Sequence, residues 1–107
     1  MSDTITAHIA LPMDAIRAYC EKWGMVEFAL FGSVLRDDFT DESDIDVLVQ
    51  FRPDARHTLF DLVTMSDELE AILGRKVDLL TRTGVEQSPN YIRRKSILNS
   101  AVVVYAA

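Results

Sequence analysis

One cysteine, Cys20, stands among the 107 residues, so no internal disulfide can form and the expected setting is the reducing cytoplasm. Long hydrophobic runs are missing as well. No apolar stretch approaches the roughly 20 residues that span a bilayer, so no membrane helix is expected. The opening MSDTITAHIALPMDAI lacks the basic stretch and sustained apolar segment of a secretory signal. Basic residues are scarce: 11 Lys and Arg against 17 Asp and Glu leave a net charge of −6. A surface of that sign repels a polyphosphate backbone and disfavours nucleic acid as the main partner. It does not exclude a nucleotide, because a divalent cation neutralises phosphates locally. No Cys/His cluster offers a site for a softer metal, and the two histidines, His8 and His57, sit in segments with no pattern that marks a ligand or base.

What is present is an ordinary globular composition, 49% hydrophobic and 26% charged, in a length that suits one domain, residues 1–107. Pro12 to Trp23 reads as a helix, with Ile16, Tyr19, Cys20 and Trp23 at helical spacing and Gly24 as its stop. Met25 to Phe31 reads as a strand closed by a Gly32-Ser33 turn, followed by a brief helical turn over Val34 to Asp38 and a second strand over Ile45 to Phe51. Thr58 is placed to cap a helix whose apolar stripe is Leu59, Leu62, Val63, Leu69, Ile72 and Leu73, with Gly74 as stop. A third strand spans Val77 to Thr81, Ser88-Pro89 opens a short helix, and a last strand follows Ala101. The order predicts an α/β (α+β) fold, a mixed sheet of about four strands flanked by helices. Cys20, Met13, Met25 and Met65 read as core filling. Arg75 and Lys76 read as complements to a helix C-terminus, and Arg93, Arg94 and Lys95 as a solvated helix face, with toxin docking or triphosphate contact as the minority reading.

The chemistry concentrates in GSVLRDDFTDESDID, from Gly32 to Asp46. Asp44 and Asp46 are two apart, so in an extended segment their side chains share a side, with Cα atoms roughly 6.6 Å apart. Two carboxylates so placed suit one divalent cation or a metal pair, and oxygen-only ligands favour Mg²⁺ or Mn²⁺. Asp78 lies in the apolar run VDLL, where a buried charge needs a partner or a metal. If its strand adjoins that of Asp46, the three acids converge, and Asp78 can deprotonate an attacking hydroxyl. Gly32 admits a close backbone approach to phosphate and Ser33 adds a hydroxyl donor. Arg36 can reach the same phosphates or pair with Asp44.

The run GS-x10-DID with VDLL resembles the nucleotidyltransferase superfamily with the polymerase-beta-like core. At this length it is similar to the minimal nucleotidyltransferase (MNT) domain proteins, over most of the chain: FALFGS, SDIDVLVQF, LFDLVTMSDELEAILGRKVDLLT and YIRRKSILNSAVVVYA. The resemblance matches Gly32 and Ser33 to the nucleotide-phosphate motif, Asp44 and Asp46 to the metal pair and Asp78 to the third carboxylate. It implies an antitoxin that uses Mg²⁺ and ATP to transfer AMP to a tyrosine of a HEPN-domain ribonuclease toxin, in a hetero-oligomer with it. Two other readings stand beside this one: stoichiometric masking of the toxin, and nucleotidyl transfer to a small molecule such as an aminoglycoside.

Overall fold

The computed structural model describes residues 3–6, 9–32, 40 and 43–107. Its centre is a four-stranded sheet in the order β5-β4-β3-β6, built from β3 (Met25–Phe31), β4 (Ile45–Phe51), β5 (Val77–Thr81) and β6 (Val102–Ala106). The β3 strand runs antiparallel to β4 and β6, whereas β4 and β5 are parallel, so the sheet is mixed as expected. A parallel pair needs a crossover, here helix α2 (Leu59–Leu73).

Alternation along the strands divides the core in two. Phe28 and Leu30 of β3, with Ile45, Val47 and Val49 of β4, pack with Ile16, Tyr19 and Cys20 of helix α1 (Met13–Trp23) and with Met65 and Leu69 of α2. The intervening Ala29, Phe31 and Leu48 face the other way, onto Val85 of the short helix α3 (Arg82–Glu86) and Ile97 of α4 (Tyr91–Ser100). Leu80 of β5 joins this second cluster, while Val77 and Leu79 pack on the first.

The first helix ends where glycine permits it: Gly24 adopts φ 71°, and its N–H reaches the Cys20 and Glu21 carbonyls. Tyr19 Oη donates to the Met65 carbonyl at 3.0 Å, and Glu68 accepts from Lys22 Nζ at 2.7 Å and Trp23 Nε1 at 3.0 Å, tying α1 to α2. Burial pushes the Cys20 thiol up to about 12, consistent with core filling. Met25 and Met65 are fully buried too. His57 is structural: its Nε2 donates to the Trp23 carbonyl at 2.8 Å and its ring lies 4.6 Å from that of Phe51.

Four expectations need correction or addition. An antiparallel hairpin, β1 (Asp3–Thr6) with β2 (Ile9–Pro12), precedes α1, so Pro12 ends a strand and the helix starts at Met13. Between the third strand and Ser88, where no element was expected, residues 82–86 form α3; Thr81 Oγ1 caps it by accepting from Gly84 N at 3.1 Å. The stripe on α2 holds at four of its six positions: Leu62, Leu69, Ile72 and Leu73 meet the core, whereas Leu59 and Val63 are 80% and 60% exposed. Arg75, just past the helix end, also reaches the loop ahead of β4: its Nη2 donates to the carbonyls of Thr40 at 2.6 Å and Ser43 at 2.9 Å. The expected helical turn over Val34 to Asp38 lies outside the described residues.

Candidate active site

The β-ladder does what the Asp-x-Asp spacing could not do alone. In register, Asp46 is the Cα partner of Phe31 on one side and of Asp78 on the other. Partners in register present side chains on the same face, and neighbouring strands lie about 4.8 Å apart. Asp46 therefore stands on the α3/α4 face with Asp78 beside it. Asp44 precedes β4 in irregular backbone and is exposed. Its loop is fixed from behind: Ile45 N donates to the Lys76 carbonyl at 2.9 Å, while Arg75 holds the Thr40 and Ser43 carbonyls.

Gly32 closes β3 with φ 76°, a conformation L side chains rarely adopt. A methyl group built there would collide with the Asp46 carboxylate, its Cγ lying only 3.1 Å away. The turn and the acid are thus packed backbone against side chain, and both border one cleft. Ser33 and Arg36 lie outside the described residues.

Asp78 differs from expectation in one respect. It is exposed rather than buried, because β5 is the edge strand and its neighbours Val77 and Leu79 point to the opposite face. No desolvation penalty forces a cation on it. Among the described residues no group of three or more His, Cys, Asp or Glu side chains is close enough to hold a metal ion as the side chains stand. The backbone nonetheless brings Asp46 and Asp78 together and puts Asp44 two residues upstream. The donor set is all carboxylate, the hard oxygen ligands that suit Mg²⁺, and Gly32 lines the cleft beside Asp46. On those grounds the residues fit the group.

A cleft of about 540 Å³ opens over Asp46, lined by Phe31, Gly32, Asp46, Arg93, Ser96, Ile97 and Ser100, with Asp78 outside its wall on the neighbouring strand. Its far wall is α4, whose positions 93, 96, 97 and 100 recur at helical spacing and so share one face. A second cleft, of about 340 Å³, adjoins it at Arg93 and Ile97 and is largely apolar, with Leu62, Leu79, Leu80 and Val85 in its wall. Sequence reasoning did not place Ser96 and Ser100 on the α4 wall, and it missed the loop contacts of Arg75. The polar residues at 93, 96 and 100, spaced around the buried Ile97, were the signal for the wall; for Arg75 there was none, since its partners are backbone carbonyls over thirty residues away.

A glycine turn pressed on the second acid of Asp-x-Asp, with a third acid on the adjacent parallel strand, sits within the span 13–104 that matches the family model described as nucleotidyltransferase domain; the chain belongs to that family and has its polymerase-beta-like fold. Its relatives narrow the comparison. A "putative protein adenylyltransferase" of Methanocaldococcus jannaschii is 39% identical over 83 residues, covering 78% of this chain and 83% of the relative. "Protein adenylyltransferase MntA" of Thermococcus cleftensis is 31% identical over 84 residues, covering 78% of this chain and 79% of that protein. A solved "putative minimal nucleotidyltransferase" superposes with a TM-score of 0.64 at 32% identity, covering 83% of this chain and 85% of that one. A crystal structure of a toxin-antitoxin with AMP-PNP shares the fold, with a TM-score of 0.67 at 16% identity over 88% of this chain and 73% of that one.

Proposed function

We propose that this chain is an antitoxin that transfers AMP from ATP, with Mg²⁺, to a tyrosine hydroxyl of a HEPN-domain ribonuclease toxin and so neutralises it. The observation that carries the reading is the packing of Gly32 on Asp46 with Asp78 in register beside it. The family supplies the reaction class, and relatives named as protein adenylyltransferases support a protein acceptor. A toxin-antitoxin of the same fold, solved with AMP-PNP, agrees with a toxin partner and an adenine nucleotide.

In this reading Gly32 and Ser33, with Arg36, would seat the phosphates, and Asp44, Asp46 and Asp78 would hold the metal. Mg²⁺ held there supplies charge neutralisation of the phosphates and of the oxygens that gain charge during transfer. Asp78, exposed at the sheet edge, accepts the proton from the acceptor hydroxyl. The freed oxygen bonds to the α-phosphorus as the bond to the bridging oxygen breaks, and pyrophosphate leaves. An acceptor on another protein must approach an open acid, and an edge strand provides that approach. The site sits in the cytoplasm with its partner.

A second reading is masking, in which binding alone silences the toxin. Leu59, Phe60, Tyr91 and Ile92 are 80%, 84%, 59% and 79% exposed, more apolar side chain than a solitary helix face needs, and both readings require such a contact surface. The test incubates the chain and its toxin with Mg²⁺ and ATP labelled at the α-phosphate. Label should appear on the toxin and vanish with a folded Asp44→Ala/Asp46→Ala variant, which should also fail to protect. Protection by that inactive variant would favour masking instead.

A further inference from the structure

We infer that Arg93, backed by Ser96, forms the second wall of the nucleotide site and grips the β- and γ-phosphates from the side opposite Gly32. This deepens the nucleotidyl-transfer reading and rests on it. The cleft over Asp46 has two walls of opposite character. One carries Asp46 and the Gly32 turn; the other is the α4 face with Arg93, Ser96 and Ser100. A polyphosphate between them meets a carboxylate on one side, tolerable only through a cation, and a guanidinium on the other.

Four of the seven described arginines, Arg17, Arg75, Arg82 and Arg94, are engaged through their side chains. Arg75 holds two loop carbonyls, Arg82 pairs with Glu27 at 3.2 Å, and Arg94 donates to the Ser88 carbonyl at 2.9 Å while lying over the Tyr91 ring. Arg93 makes no ion pair with a described carboxylate, in a chain of net charge −6 where acidic partners are plentiful. An exposed arginine that borders an acid-lined cleft without pairing is placed for an anion that arrives from outside. Guanidinium binds phosphate oxygens through paired N–H donors, stronger and more directional than an ammonium can offer. The hydroxyl of Ser100 donates to the Ser96 carbonyl at 2.7 Å. Ser96, one turn beyond Arg93, adds the neutral donor of this wall.

The experiment measures Mg²⁺-dependent binding of AMP-PNP and of AMP by calorimetry, for wild type and Arg93→Ala, Arg93→Lys and Lys95→Ala. A lost charge-assisted phosphate contact corresponds to about a tenfold or larger loss of affinity. Arg93→Ala should weaken AMP-PNP by that factor and AMP by less than about twofold, with Arg93→Lys between. Lys95→Ala, a loss of the same charge away from the cleft, should change neither by more than about twofold. In transfer to the toxin, the ATP KM should rise with Arg93→Ala by a similar factor. Equal loss for AMP and AMP-PNP, or loss equally large with Lys95→Ala, overturns the assignment, as does unchanged AMP-PNP affinity in Arg93→Ala. Should wild type take up no AMP-PNP at all, the transfer reading falls and this inference with it; wild-type uptake with an indifferent Arg93→Ala removes the inference alone.

Discussion

Replacing Gly32 with alanine would put a methyl where the Asp46 carboxylate stands, in a backbone conformation that costs an L residue roughly 1–2 kcal/mol. Both effects act at one point, so Gly32→Ala should lower thermal stability and abolish AMP-PNP binding in the same protein. Adding Asp46→Ala should recover part of the stability by removing the collision, and none of the binding. Full recovery of binding would show that the turn is no phosphate seat. Arg75 works at the same scale with different consequences. Arg75→Ala removes two hydrogen bonds to the loop ahead of Asp44, so amide exchange over 43–46 should accelerate while the stability loss stays near 1 kcal/mol. Transfer activity should then fall more steeply than stability does. Equal exchange in wild type and variant would show that Arg75 does not hold this segment.

At the scale of elements, local signals were read well where the chain carries its own punctuation. Gly24 and Gly74 end α1 and α2 in the left-handed conformation, and Thr58 and Asp61 form a reciprocal capping box. That box should be worth about 1 kcal/mol, so Thr58→Ala should shift the urea midpoint down by that equivalent with the slope unchanged. The three strands β3, β4 and β5 have the expected ranges because each is a short β-rich run between turn residues. What could not be read was context. Periodicity marks a helix face but not where the covering layer stops, which is why Leu59 and Val63 were assigned to a stripe and stand exposed. A hairpin of two four-residue strands and a five-residue helix are too short to leave a period. The acids of the site were legible by spacing and type; their alignment required the parallel pairing of β4 with β5. Between α1 and α2, hydrogen bonds from Lys22 and then Trp23 hold the Glu68 carboxyl below its usual value. A depressed folded pKa adds stability above the unfolded value, near 4.3, and that stability is lost as pH falls through the folded value. Glu68→Gln should therefore be less stable than wild type at pH 7 in urea titrations, and the gap should close in acid below the folded value. A gap independent of pH would mean that packing rather than charge is at stake.

For the whole molecule, the net charge of −6 sets how a nucleotide can be held. ATP brings several negative charges to a cleft that already contains Asp46, so without a cation the summed field opposes binding. If Asp46 is a metal ligand, its carboxylate must help binding when Mg²⁺ is present and hinder it when Mg²⁺ is absent. Asp46→Asn keeps the shape and removes the charge. In Mg²⁺ buffer it should bind AMP-PNP about tenfold or more weakly than wild type, the scale of a lost charge-assisted contact. In EDTA the order should invert, with the variant binding at least as tightly as wild type, and the difference should shrink as salt screens the repulsion. This inversion separates a metal ligand from an acid that merely shapes the cleft, since the latter would weaken binding in both buffers. If Asp46→Asn binds more weakly with and without metal, the carboxylate contacts the nucleotide or supports the turn directly, and the metal assignment of Asp46 fails.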